Sequence, residues 1–132
     1  MTKKNYLYEY LLRAPLSLAM ERSLECGILA PEPMPGPVLD LGCGDGLFAD
    51  VLGRVPVDLG MDLDRREILI AGKRGIYKAL EVADIRIANP GRTFNTIFSN
   101  SVLEHIADLK PVLRSVRAIL SEDGFFYVTV PT

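Results

Sequence analysis

An acid lies in or directly after each of three successive apolar runs. Asp40 lies within Val38-Leu39-Asp40-Leu41, Asp62 closes Val57 to Met61, and Asp84 closes Leu80 to Ala83. The first run breaks into Gly42-Cys43-Gly44-Asp45-Gly46. Glycines so closely spaced let the backbone turn sharply and leave no Cβ between the main chain and a ligand lying over the turn. Leu47, Phe48, Val51, Leu52 and Val55 follow at helical spacing, so the amides opening that helix are expected to face the same ligand. A carboxylate placed like Asp62, 20 residues after Gly42, can accept both hydroxyl hydrogens of a ribose. Asp84 can accept a hydrogen bond from an adenine amino group while the Ile85 amide faces a ring nitrogen. Each acid has a plainer use as a helix cap or turn residue. The pattern gives the ribose to Asp62 and the cap to Asp64, and the three acids together describe one nucleoside-like ligand.

The elements that must position these groups alternate between strand and helix. Two helices open the chain, one around Tyr6 to Arg13 and one after Pro15, whose fixed φ suits a first turn; in the second, Leu16, Met20, Leu24 and Ile28 make an i, i+4 stripe. The stretch 31–37 holds four prolines, which remove donors and restrict their predecessors, so it reads as a stiff connector. Beyond it the expected strands are Val38 to Leu41, Val57 to Met61, Leu80 to Ala83, Phe94 to Phe98, and Phe125 to Val130 after an Asp123-Gly124 turn. Asp64 and Glu67 form a capping-box pattern for a helix ending near Gly75. Asp108 caps a helix carrying Leu109, Val112, Leu113, Val116, Ile119 and Leu120 on one face. Such alternation predicts an α/β fold, a doubly wound, mostly parallel sheet covered on both faces. Ligands of such sheets lie beyond the carboxyl ends of the strands.

Composition bounds the possibilities. The chain has 132 residues, 48% of them hydrophobic and 24% charged, with a formal net charge of −2. Those values describe one globular domain, 1–132, divided into a helical cap over 1–30, the connector over 31–37 and the α/β core over 38–132. No basic field is available to grip phosphates, so nucleic acid is not expected as a partner. Cys26 and Cys43 are the only cysteines and His105 the only histidine, which offers neither a disulfide framework nor metal-ligand spacing. A reducing cytoplasm is expected. The start, Met1-Thr2-Lys3-Lys4, lacks the form of a signal peptide, and no run is long enough to span a membrane.

Val38 to Gly46, Gly60-Met61-Asp62, Val82-Ala83-Asp84, Phe94 to Ile106 and the helix leading to Gly124 together resemble the successive motifs of the small class I S-adenosylmethionine-dependent methyltransferases. The glycine pattern is Gly-x-Gly-x-Gly, with Leu47 where a dinucleotide fingerprint needs a small residue, which disfavours a nicotinamide-dependent oxidoreductase. The resemblance implies a Rossmann-like, seven-stranded sheet in the order 3-2-1-4-5-7-6. It implies that Gly42, Cys43 and Gly44 cradle the methionine part of S-adenosylmethionine or of the product S-adenosylhomocysteine. Asp40 would act on the cofactor's ammonium group, the main chain at Ser99 and Asn100 would complete that pocket, and Leu63 would pack on the adenosine. Ser99 to Ile106 resembles the fourth motif of enzymes acting on small molecules, which makes a small-molecule methyl acceptor the expected partner and His105 a candidate for proton transfer. The Asn/Asp-Pro-Pro-aromatic signature of nucleic-acid amino methyltransferases is replaced by Ser99-Asn100-Ser101-Val102.

The sequence departs from the family at Asn95, where aspartate is usual, at Ser121-Glu122-Asp123-Gly124, where proline-glycine-glycine is usual, and in ending at Thr132, after the fifth strand. A chain truncated there would leave the fifth strand as an adhesive edge, so self-association is expected through it. The rival to an enzyme is a non-catalytic binding or interaction module that keeps the fold.

Overall fold

The computed structural model describes residues 4–131. Met1-Thr2-Lys3, part of the start that lacks the form of a signal peptide, and Thr132 lie outside the described residues. Five strands, β1 (Val38–Leu41), β2 (Leu59–Asp62), β3 (Leu80–Val82), β4 (Phe94–Asn100) and β5 (Leu120–Thr129), form one parallel sheet in the order β3-β2-β1-β4-β5. The chain steps outward from β1 to β3 and then crosses back to β4. The connections therefore diverge at the β1/β4 junction, where open α/β sheets keep their ligands.

All four residues of β1 are buried, the condition of a strand covered on both faces. Helices α1 (Tyr6–Leu11), α2 (Leu16–Leu29) and α3 (Leu47–Leu52) cover one face, where Tyr10, Cys26, Phe48, Val51 and Phe98 share a core. On the other face, α5 (Lys110–Ile119) presents Val112, Val116 and Ile119 to Leu39, Met61 and Ile97. Each such side chain contributes roughly 1.5–3 kcal/mol by leaving water. Helix α4 (Arg65–Lys73) is capped by Asp64, whose Oδ1 accepts the Arg66 amide at 2.8 Å. Only this half of the capping box forms as expected; Glu67 turns toward Gly44, its Oε2 3.9 Å from where a Cβ would stand. Asp108 caps α5 by accepting the Lys110 amide at 3.1 Å.

Three expectations need correction. The second strand starts later than Val57, because Val57 makes only an isolated bridge to Tyr77 and regular pairing begins at Leu59. The fifth begins directly where α5 ends: Leu120 pairs with Phe94 and Phe125 with Thr96, so Ser121 to Gly124 bulge out of a strand rather than turning into one. The stripe of α2 faces solvent; Leu24 and Ile28 are 69% and 70% exposed, whereas Ala19 and Cys26 are fully buried. Small residues on that face let the helix lie close over the sheet, which the larger stripe could not do without lifting it away.

Tyr10, 1% exposed, joins the helical cap to the core. Tyr10→Ala is expected to cost about 3–5 kcal/mol and to shift a single denaturant transition seen alike by far-ultraviolet and near-ultraviolet circular dichroism. An early separate loss of helix signal would show that the cap unfolds on its own.

Candidate functional site

The glycine turn is held against β2. Gly42 and Cys43 donate their amides to the Met61 carbonyl at 2.8 and 2.9 Å, and Gly44 donates to Asp62 Oδ2 at 2.9 Å. The amides expected to cradle a ligand are thus committed to the fold, and the turn offers bare backbone surface instead. Gly42 and Gly44 have φ of 76° and 56°, the left-handed region that favours glycine. A Cβ on Gly42 would stand 2.6 Å from a Val102 methyl, while one on Gly44 would meet nothing nearer than Glu67. Cys43 is buried, and burial raises its thiol pKa, so it is not a nucleophile.

The three strand-end acids meet different surroundings. Asp40 is buried, and its Oδ2 accepts the Tyr77 hydroxyl at 2.6 Å. Burial pushes its carboxyl pKa up to about 7, against the opposing hydrogen bond from Tyr77 and with a further rise from the neighbouring Asp62 charge. Expected to face an ammonium group, it lies instead beneath the turn, because side chains alternate along a strand and its side chain reaches Tyr77. Asp62 accepts the Gly44 amide on one oxygen and the Asp64 amide on the other, each at 2.9 Å. Each oxygen keeps a further lone pair for a hydroxyl. Asp84 is gripped by Arg86, whose Nη2 donates to Oδ2 at 2.6 Å and whose amide donates to Oδ1 at 2.9 Å. Those hydrogen bonds bring the Asp84 carboxyl down to about 2.

One cavity of about 580 Å³ brings together Gly42, Asp62, Leu63, Asp84, Ile85 and His105. Its size and largely apolar walls suit a small organic ligand. Leu63 is exposed and forms an apolar rim, whereas Ile85 is buried and forms wall. His105 sits in a 3₁₀ turn over Leu103–His105 with its side chain 79% exposed and Nε2 3.6 Å from Glu104. Cys43, Gly44, Ser99, Asn100 and Asp40 do not line this cavity. The Ser99 hydroxyl is buried without a partner among the described residues, and Asn100 turns toward α2 and Thr129. From the opening helices, Tyr6, Tyr8, Tyr10 and Arg13 are not among the cavity's lining; Tyr10 is core and Arg13 pairs with Asp50 at 3.1 Å.

Sequence reasoning missed Arg86, Val102 and Ile106 on the cavity wall. It also missed two residues behind the turn. Arg74 donates from Nε to the Asp45 carbonyl at 2.6 Å, and the Tyr77 ring lies 3.0 Å from a Cβ on Gly46. A basic residue two positions after a strand-end acid was a usable signal for Arg86. Nothing local marked Arg74 or Tyr77, whose contacts reach 29 and 37 residues back along the chain.

Comparison with known proteins places this geometry. A family profile described as "Methyltransferase domain" matches residues 10–132, and the chain belongs to that methyltransferase family. Among curated relatives, the ubiquinone biosynthesis O-methyltransferase of Roseobacter denitrificans is 31% identical over 105 residues, covering 74% of this chain and 42% of that protein. The Rhizobium etli protein of the same name is 27% identical over 128 residues, covering 86% and 51%. The chain thus spans about half the length of the curated relatives it matches. A solved S-adenosylmethionine-dependent methyltransferase from Clostridium acetobutylicum superposes with a TM-score of 0.67 at 24% identity over 92% of this chain and 54% of its own. The DhpI–SAH complex does so with 0.71 at 21% over 96% and 70%. The Rossmann-like class I methyltransferase fold expected from the sequence is the fold observed.

Two outcomes follow from this geometry. Gly42→Ala meets both the φ penalty and Val102, so it is expected to cost about 1–3 kcal/mol more than Gly44→Ala; equal urea midpoints for the two variants would contradict the close approach. Asp40 holds its proton more tightly folded than unfolded, since its pKa rises from 3.8 to about 7. Its contribution is therefore most favourable below pH 4 and declines as the pH climbs toward 7. Asp40→Asn is expected to raise the melting temperature relative to the parent at pH 8, with the gain fading by pH 4. A difference independent of pH would mean that the carboxyl ionises as freely as in the unfolded chain.

Proposed function

We propose that this chain is the cofactor-binding core of an S-adenosylmethionine-dependent methyltransferase acting on a small-molecule acceptor. The observation that carries the reading is the convergence of Gly42, Asp62 and Asp84 on one cavity, in a chain of the methyltransferase family. The donor set fits a nucleoside: Asp62 has lone pairs left for ribose hydroxyls, and Leu63, Ile85 and Ile106 supply apolar surface for a flat base. Solved neighbours of similar fold include a glycopeptide N-methyltransferase complexed with S-adenosylmethionine and with S-adenosylhomocysteine, which supports the same cofactor and product here. Oxygen and nitrogen acceptors both occur among the names of the matched proteins, so the acceptor is assigned only as a small molecule.

When bound, the cofactor supplies a methyl group on a sulfonium whose departure leaves a neutral thioether. The protein's task is then alignment, which by itself can lower a barrier by roughly 7–11 kcal/mol. Asp62 would orient the ribose, Asp84 and the Ile85 amide would read the adenine edge, and Gly42 would border the methionine end from the cavity wall, with the backbone of Cys43 and Gly44 and the main chain of Ser99 and Asn100 completing that end from outside the cavity. Asp84 does this in competition with Arg86, whose guanidinium holds the same oxygens. His105, exposed at the cavity rim, takes the proton of an acceptor that must lose one.

Calorimetric titration with S-adenosylhomocysteine is expected to give saturable heat, and absence of both heat and thermal shift at millimolar ligand would overturn the reading. Asp62→Ala is expected to weaken binding by about tenfold or more, the worth of a hydrogen bond to a charged group. Asp64→Ala, by contrast, is expected to cost about 1 kcal/mol of stability as a lost cap while leaving affinity unchanged. Equal effects of the two on affinity would remove the ribose role from Asp62.

The outer edge of β5 has no strand beside it among the described residues, and Phe125 and Val128 are exposed there. That edge supports self-association, expected as dimers or larger species in light scattering at high concentration; a strictly monomeric protein would refute it. No helix among the described residues is long and apolar enough to cross a membrane. Both cysteines are free and buried, a state compatible with the reducing cytoplasm expected from the sequence.

A further inference from the structure

Helix α2 lies outside the cavity, yet it carries a carboxylate into the end of β4. Glu25 is a buried acid, 8% exposed, on a helix whose neighbouring apolar stripe faces water. One of its oxygens accepts Arg22 Nη1 at 2.7 Å. The other accepts the Asn100 side-chain amide and lies 3.4 Å from Ser101 Oγ. Ser101 is the only non-glycine residue with positive φ among the described residues, at 53°, and its amide is tied to the Thr129 carbonyl at 2.7 Å. Val102 comes next, and its methyls cover Gly42 at the cavity wall.

We infer that Glu25 is a positioning residue: it fixes the turn after β4 through Asn100 and Ser101, and so sets Val102 against the glycine turn that borders the cavity. A left-handed serine stores strain that surrounding contacts must hold, and Glu25 supplies a charged acceptor on the far side of that turn. Removing it leaves the half-buried Asn100 amide with one acceptor fewer, its bond to Thr129 Oγ1 remaining. The turn is then free to relax, and Val102 moves with it. The inference rests on the cofactor reading for its functional consequence, but its structural core does not.

The test uses Glu25→Ala, Glu25→Gln and the double variant Glu25→Ala with Ser101→Gly in the full chain. The first readout is hydrogen exchange at the amides of residues 101–105 without ligand. Glu25→Ala is expected to speed exchange there by about tenfold or more, the worth of one lost bond to a charged group, and to leave α4 unchanged. Glu25→Gln keeps an acceptor for Asn100 and is expected to stay close to the parent. The second readout is affinity for S-adenosylhomocysteine well below the melting temperature. Glu25→Ala is expected to weaken it by about tenfold, Glu25→Gln to restore most of the loss, and Ser101→Gly to recover part of it, since glycine holds a positive φ without help. Unchanged exchange at 101–105 in Glu25→Ala, or exchange raised equally over the whole molecule, overturns the proposal. If Glu25→Ala does not fold, Glu25→Met, which fills the same space without an acceptor, takes its place: faster exchange at 101–105 supports the proposal and unchanged exchange there overturns it. If the parent itself binds no S-adenosylhomocysteine, the cofactor reading fails, while the exchange readout still decides the role of Glu25.

Discussion

The bond from the Gly44 amide to the Asp62 carboxylate joins the end of β1 to the end of β2, and the rest of the cavity is built around that junction. Without it the glycine turn would be a flexible loop, since the left-handed geometry at Gly42, Gly44 and Gly46 is open to glycine but not imposed by it. With it, the turn is pinned from the front by Asp62 and by the Met61 carbonyl. From behind it is pinned by Arg74 on the Asp45 carbonyl and by the Tyr77 ring packed on Gly46. A ligand that needs the turn therefore meets it already shaped, which lowers the ordering cost of binding.

Bringing strand ends together also brings acids together, and the fold gives each a different partner. Asp40 is withdrawn from water, which favours the protonated form against the opposing bond from the Tyr77 phenol. Asp62 spreads its charge over two backbone amides. Asp84 lies at the exposed rim and carries its own guanidinium. Three like charges at one sheet end would otherwise repel across a partly desolvated cleft, and this division leaves Asp62 as the acid whose charge can meet a ligand without first displacing a side chain.

Features written within a few residues were legible in the sequence. The turn after Leu41 announced itself by glycine spacing, Asp64 by the helix it caps two residues on, and Asp84 and Ile85 by their place at a strand end. What stayed hidden depends on distant pairing. The apolar stripe of α2 looked like a buried face, but the orientation of that helix answers to the Glu25–Asn100 contact across 75 residues and to the close fit of Ala19 and Cys26. Ser121 to Gly124 read as a turn because these residues have poor strand propensity; the sheet absorbs them as a bulge since Leu120 and Phe125 pair on either side. Asp40 carried the right residue type at the right spacing, and only the tertiary position of Tyr77 determines that it is sealed below the surface.

A reaction that asks mainly for alignment, as the proposed one does, does not require a conspicuous set of catalytic side chains, and among the described residues the cavity shows none beyond one exposed histidine. What it has is redundancy in positioning. The glycine turn is fixed by β2, by α4 and by the loop before β3, and the turn after β4 is fixed by α2 and by β5. Each wall of the cavity is thereby referred to a different part of the sheet, so a displacement of one helix is resisted by contacts on another. For the methyl transfer proposed above this is where rate would come from, because small errors in the line of attack cost rate steeply. The helical cap thus belongs to the cavity's geometry as well as to its cover, since the carboxylate it buries at the end of β4 bears on the same turn that closes over Gly42.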